Sequence, residues 1–152
     1  MIIPYSNFSI LQVGCGGTGG YLVPKIARLL MTLQKYRDGW QGYNIVDFDV
    51  VEEINLYRQN FVKADLGLYK SEVMAKRYGS HFGVAIGSGT EKAESWEEIF
   101  NFFPECNSGP VCRILIGCVD NNRARKVMHE AFINSDKPII YIDSGNGKYT
   151  GR

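Results

Sequence analysis

The sequence predicts an α/β fold, a predominantly parallel sheet with helices on both faces. Three observations predict it. Apolar, β-compatible runs alternate with segments of helical apolar spacing. A glycine-rich turn joins the first strand to the first helix. The run Val111–Val119 is apolar almost throughout, with Arg113 the exception, as expected of a strand covered on both faces.

Taken in order, Phe8–Val13 reads as the first strand. Gly14, Gly16 and Gly19 follow it with the G-x-G-x-x-G spacing of a Rossmann-like phosphate turn. There the first glycine allows a tight turn, the second lets backbone approach a phosphate, and the third lets helix pack on strand. Gly17 and Gly20 extend the glycine run. Gly20 and Tyr21 stand after Gly19 where a Walker-type loop has Lys and Ser or Thr, so that loop is excluded. Any phosphate-neutralising cation must therefore come from elsewhere in the chain. Tyr21 to Leu33 carries Leu22, Ile26, Leu29, Leu30 and Leu33 at helical spacing. Pro24 is tolerated near a helix start and costly later, which predicts a start close to Gly19 or Gly20.

Asn44–Asp49 reads as a second strand ending in the carboxylates Asp47 and Asp49. In dinucleotide enzymes an acidic residue at this strand end binds ribose, usually about 20 residues past the glycines. Asp47 lies farther on than that, which requires a longer first helix or loop. A helix over Tyr69–Tyr78 places Lys70 in its first turn, against the helix dipole, so Lys70 calls for a nearby anion. Val84–Ile86 is a short third strand, and Ser95 with Glu98 forms a capping box that opens the next helix. Val111–Val119 ends at Asp120. Asn121 to Ser135 is helical, with Ala124, Val127, Met128, Ala131 and Phe132 on one face, and Asp120 is a candidate N-cap. Lys137-Pro138 ends that helix before a last strand, Ile139–Ile142.

Residues 1–152 are about the length of one domain. Net charge is +1, which gives no electrostatic case for nucleic acid or membrane as partner. No apolar run approaches the roughly 20 residues that span a bilayer, and the N-terminus lacks signal-peptide character, so the cytoplasm is expected. Cys15, Cys106, Cys112 and Cys118 form no C-x-x-C pair and are expected as free thiols. The Gly14 loop, Asp47, Asp49, Asp120 and Asp143 all fall at strand carboxyl ends and should share one edge. Carboxylates beside phosphates require a cation, and Mg²⁺ is typically held by one or two carboxylates plus phosphate.

These blocks together resemble a known family. Gly14-Cys15-Gly16-Gly17-Thr18-Gly19, Asp47-Phe48-Asp49-Val50-Val51, Asn55-Leu56-Tyr57-Arg58-Gln59, Lys70, and Asp120-Asn121 with Arg125 resemble the ThiF/MoeB-type adenylyltransferases, bacterial relatives of ubiquitin-activating enzymes. The stretch from Pro138 to Gly151, with Gly145, Gly147 and Gly151, resembles the family's later strand and glycine loop. The glycine block is most similar to the ThiF-type proteins of plasmid-linked PRTRC gene clusters.

The resemblance implies adenylylation of the C-terminal glycine carboxylate of a small ubiquitin-fold protein, with ATP and Mg²⁺, in a homodimer. It implies that Gly14, Gly16, Gly17 and Gly19 line the phosphates. Asp49 would hold the ribose with Asp47 structural beside it. Asn55, Arg58 and Lys70 would contact the triphosphate with support from Gln59, and Asp120 would hold Mg²⁺. Arg58, Lys70 and Asp120 are then the catalytic candidates, and Arg125 a structural partner of the aspartate loop. The family pattern also carries further strands, C-x-x-C zinc pairs and in many members a reactive cysteine. The chain is expected to lack that C-terminal part, and an N-terminal helix that supplies an arginine. Two other readings stand beside this one. An NAD-dependent oxidoreductase shares the glycine loop and acidic strand end but leaves Arg58-Gln59, Lys70 and Asp120-Asn121 unexplained. A non-catalytic nucleotide-binding or dimerisation fragment shares them all.

Overall fold

The structure is a computed structural model that describes residues 5–36, 38–107 and 109–143. Five parallel strands form one sheet in the order β3-β2-β1-β4-β5: β1 (Asn7–Val13), β2 (Gln41–Val46), β3 (Gly87–Gly89), β4 (Val111–Gly117) and β5 (Ile139–Asp143). Helices α1 (Gly17–Tyr36) and α2 (Lys70–Phe82) cover one face, burying Val23, Ile26, Leu30 and Met74 against Phe8, Ile10 and Ile45. Helices α3 (Trp96–Asn101) and α4 (Asn122–Ile133) cover the other, burying Ile99, Val127 and Met128 against Leu11, Val46 and Leu115. The predicted class therefore holds, and the strand order reverses between β1 and β4. Ligands of open α/β sheets bind at such a switch point, outside the strand carboxyl ends. The exception in β4 has a local cause. The Arg113 guanidinium lies 4.6 Å from the Phe100 ring centroid and pairs with Asp136 at 3.0 Å.

Several boundaries differ from expectation. Helix α1 starts at Gly17, not Gly19 or Gly20, and runs to Tyr36, which takes up the extra distance to Asp47. Pro24 is thus interior, where it cannot donate to the carbonyl of Gly20. That carbonyl instead accepts from Asn60 Nδ2 at 3.1 Å, so the break in the helical ladder is filled from another segment. Strand β2 ends at Val46, which leaves Asp47 and Asp49 beyond the ladder. The third strand is Gly87–Gly89 rather than Val84–Ile86. Val84 is buried and its N–H closes the end of α2 on Gly79 O, and only the following residues reach Asn44–Val46. Ser95 precedes α3 without a side-chain capping bond. Glu98 instead accepts from the N–H of Glu94 at 2.7 Å. Asn121, not Asp120, caps α4, its Oδ1 accepting from Ala124 N at 2.8 Å. Phe132, placed on the core face, is exposed. Gly145, Gly147 and Gly151 lie outside the described residues.

Candidate functional site

A cleft of about 560 Å³ opens at the carboxyl ends of the strands. Gly14, Gly16, Gly17, Asp47, Asp49, Asn55, Arg58, Gln59, Lys70 and Asp120 all line it. Ten candidates spread over more than a hundred positions thus converge, because parallel strands deliver their ends to one edge. Gly19 does not line the cleft. It works behind the loop, where a Cβ would stand 2.0 Å from Gly14 O. Gly14 itself has φ +100°, and a side chain there would strike the Cys118 carbonyl at 2.5 Å. By contrast, Gly17 has nothing within 4 Å of a built Cβ and Gly16 only Gln59 Nε2 at 3.9 Å. Two glycines therefore allow the close packing, and two leave the loop's open side clear for a ligand.

A buried polar frame holds the loop in place. Gln12 is fully buried. Its Nε2 donates to Gly14 O at 2.9 Å and Gly19 O at 3.1 Å, and its Oε1 accepts from Tyr43 at 2.7 Å. Asp47 Oδ2 accepts the Cys15 N–H at 2.6 Å, and Oδ1 accepts the Asp49 N–H at 2.9 Å. Burial pushes the Asp47 carboxyl above its ordinary range, and these two N–H bonds pull part of the shift back. Burial, together with the Asp47 charge, also pushes the Cys15 thiol well up, so it stays protonated. Asp47 and Cys15 are thus partners of each other, and the Cys15 N–H is committed within the protein. Gln12 and Tyr43 escape sequence reasoning. The available signal is a lone amide inside the apolar run Leu11-Gln12-Val13, immediately before the glycines.

Asp49 is half exposed and pairs with Lys70, Nζ to Oδ2 at 3.0 Å, while Lys70 is buried. The anion that Lys70 calls for is therefore a side chain of the protein. Asn55 is buried, its Oδ1 accepting from Glu52 N at 2.9 Å and its backbone carbonyl accepting from Arg58 and Gln59. That clasp folds the 3₁₀ turn Glu53–Tyr57 and carries Arg58 and Gln59 to the cleft. Gln59 Oε1 is buried with no hydrogen-bond partner among the described residues, and its amide lies against Gly16. Asp120 is exposed. Arg125 braces the segment before it, donating to Val119 O at 2.9 Å and lying 3.7 Å from Asp143. Among the described residues no cluster of three His, Cys, Asp or Glu side chains forms an all-protein metal cage. Asp120 is one of several exposed carboxylates lining the cleft, with Asp49, Glu52 and Glu91. Such a donor set fits Mg²⁺, which takes one or two carboxylates and completes its shell with phosphate and water.

Sequence reasoning also misses the segment after β3. Lys92 lies over the Phe48 ring at 5.6 Å, and Glu94 pairs with Lys92 and with Arg123 of α4. Lys92 and Arg123 line the cleft mouth, beside Ile99, Phe102 and Met128 on its apolar side.

A glycine loop and a strand-end carboxylate thus meet at the switch point of a Rossmann-like α/β domain, where open parallel sheets take ligands. Residues 5–151 match the ThiF family, and the chain belongs to it. Among curated proteins none matches the sequence. The structure is similar to that of E. coli TcdA, a tRNA N6-threonylcarbamoyladenosine dehydratase, with 21% identity, 87% of this chain and 50% of that one covered, and a TM-score of 0.65. It is also similar to TcdA in complex with ATP, with 20% identity, 87% and 49% covered, and a TM-score of 0.64. The third is E. coli MccB with ATP, with 20% identity, 90% and 36% covered, and a TM-score of 0.65. The chain thus spans half the length of these structures or less, and the likeness shows the shared fold.

Proposed function

We propose that this chain binds ATP and adenylylates the C-terminal glycine carboxylate of a small ubiquitin-fold protein. The observation that carries the reading is the convergence of the open glycine loop, Asp49, Asn55, Arg58, Gln59, Lys70 and Asp120 on one cleft. Membership of the ThiF family supports it, as do the ATP complexes of proteins that share the fold. In the reaction a carboxylate oxygen attacks the α-phosphorus. The bond from that phosphorus to the bridging oxygen breaks, and acyl-adenylate and pyrophosphate form. No general base is needed, because the carboxylate is already ionised at neutral pH. The difficulty is bringing two anions together. Arg58 and Lys70 would neutralise the triphosphate, Asn55 and Gln59 would orient it, and Asp49 would receive the ribose hydroxyls. Asp120 would hold Mg²⁺, which when bound supplies further neutralisation of the phosphate oxygens.

The working assembly in this reading is a homodimer in the cytoplasm, with no nucleic acid or membrane as partner. Exposed Ile140 and Ile142 on the edge strand β5 offer apolar surface for association, and four free cysteines suit a reducing compartment. Among the described residues no helix is long and apolar enough to cross a membrane. Exchange of labelled pyrophosphate into ATP tests the activity. Exchange that requires a ubiquitin-fold protein ending in glycine supports the reading. Absence of exchange with intact ATP binding leaves a nucleotide-binding domain without this chemistry.

A further inference from the structure

The Lys70–Asp49 pair carries an inference that rests on the nucleotide reading above. Lys70 has a side chain only 7% exposed, and Asp49 one 52% exposed. Two bonds join them: Nζ to Oδ2 at 3.0 Å, and the Lys70 N–H to the Asp49 carbonyl at 2.9 Å. Among the described residues no other carboxylate forms an ion pair with Lys70. Asp47 also acts on Lys70 through space, but both its oxygens are taken by N–H groups. A buried ammonium that leaves Asp49 therefore gains a direct partner only from another anion. Asp49 is also the carboxylate placed for the ribose. One side chain thus serves both halves of a nucleotide.

We infer that this pair is a specificity device, making Lys70 available to a polyphosphate only when a nucleoside occupies Asp49. Ribose hydroxyls donate to the Asp49 carboxylate and weaken its hold on the ammonium. The half-exposed Asp49 can turn toward the ribose, and the released Lys70 meets the phosphate chain. An inorganic polyphosphate brings no such donors. It finds Lys70 already neutralised and the Asp49 charge still facing the cleft. The cleft therefore selects against free tripolyphosphate and pyrophosphate, although Arg58 and the open glycine loop remain accessible to them.

The test is calorimetric titration with inorganic tripolyphosphate, adenosine and ATP in Mg²⁺-free buffer. The proteins are the wild type, Asp49→Asn, Lys70→Met and the double variant, each checked for a cooperative melt. Asp49→Asn should bind adenosine more weakly yet bind tripolyphosphate about fivefold more tightly, the size of one partly exposed ion pair. In the Lys70→Met background the same substitution should bring a distinctly smaller gain, because it removes only the repulsion by Asp49 and no cation remains to be released. A gain of equal size in that background would mean simple charge repulsion by Asp49 and would overturn the inference. Unchanged or weaker tripolyphosphate binding by Asp49→Asn would overturn it too, and would make Asp49 a support that aims Lys70 at phosphate. Asp49→Ser gives the same comparison if Asp49→Asn melts without cooperativity. Failure of the wild type to bind adenosine or ATP would instead remove the nucleotide reading itself, and the inference with it.

Discussion

Gly17→Ala and Gly19→Ala should have opposite consequences, although the positions are two residues apart. Gly17 is the first residue of α1, is exposed, and lines the cleft. A methyl there meets nothing within 4 Å. Alanine is favoured over glycine in helices by up to about 1 kcal/mol, so the variant should melt no lower than the wild type. The same methyl occupies the open side of the loop, where the proposed phosphates approach the backbone. Losing one charge-assisted contact of about 1.5–3 kcal/mol should weaken ATP binding at least about tenfold. A methyl at Gly19 meets Gly14 O at 2.0 Å, Gly14 C at 2.8 Å and Gln12 Nε2 at 3.0 Å. Two of these are backbone atoms of the loop itself, so α1 must move away from β1. Overpacking typically costs about 1–3 kcal/mol, and this contact belongs at the upper end. For a domain of this size that is a fall of about 6–12 °C in melting temperature. Thermal melts of both variants, with ATP titrations well below their midpoints, separate the two effects. Wild-type ATP affinity in Gly17→Ala would refute the phosphate role of the loop. A wild-type melt for Gly19→Ala would refute the packing argument.

Three further outcomes are expected. Arg58→Ala and Lys70→Ala should each weaken ATP about 10- to 100-fold while leaving AMP nearly unchanged, because a charge-assisted contact beyond the α-phosphate is lost. Equal losses for ATP and AMP by calorimetry would count against the adenylyltransferase reading, as would tight NAD binding by the wild type, which would favour the oxidoreductase one. Asp120→Asn should melt like the wild type, since Asn121 caps α4, and should weaken ATP binding in Mg²⁺ more than in EDTA. Equal losses in both buffers would make Asp120 structural. Cys118, with a pKa pushed by burial from 9.0 to about 11, should alkylate slowly. At pH 8 its thiolate fraction is about one in a thousand, against about one in ten for an unshifted thiol. Deprotonation is delayed to higher pH, so its labelling rate by mass spectrometry should climb roughly ninefold between pH 9 and 10, where an unshifted thiol would gain less than about twofold. A rise of less than about twofold in that interval would contradict the burial effect.

The legible parts of this fold are those written locally. Glycine spacing, apolar runs and turn residues report backbone conformation within a few positions, so the strand–turn–helix around Gly14 and the strand-end carboxylates could be read directly. Their convergence followed from the rule that parallel strands share a carboxyl edge. What stayed hidden depends on partners distant in sequence. Gly87-Ser88-Gly89 has no strand signature and pairs only because Asn44–Val46 offers a ladder. An interior Pro24 looks unfavourable until Asn60 is seen to occupy the carbonyl it leaves open. Lys70 signalled a missing anion, but nothing in the spacing distinguished a ligand from Asp49. The segment around Lys92 and Glu94 reads as an ordinary polar loop, and its contacts with Phe48, Glu98 and Arg123 hold it beside the cleft.

Asp47 and Asp49 show how the same side chain acquires two roles within three residues. Residues two apart on a regular strand share a face, but the backbone leaves β2 after Val46, and there Asp47 turns inward while Asp49 turns outward. Asp47 is nearly sealed, with both oxygens taken by the N–H groups of Cys15 and Asp49, so it cannot also receive ribose hydroxyls. Its burial has an unfavourable consequence. With a folded pKa above 3.8, the native state holds this proton more tightly than the unfolded chain does. Stability from this group therefore falls as pH rises from the ordinary carboxylate range to the folded pKa, and the cost is fully present above it. An uncharged acceptor would avoid that cost, but an amide has one oxygen where two N–H groups need acceptors. The charge is the means of fixing the Gly14 loop and the Asp49 backbone from a single point. Asp49, left half exposed beside it, is then free to exchange Lys70 for a ligand without disturbing the loop.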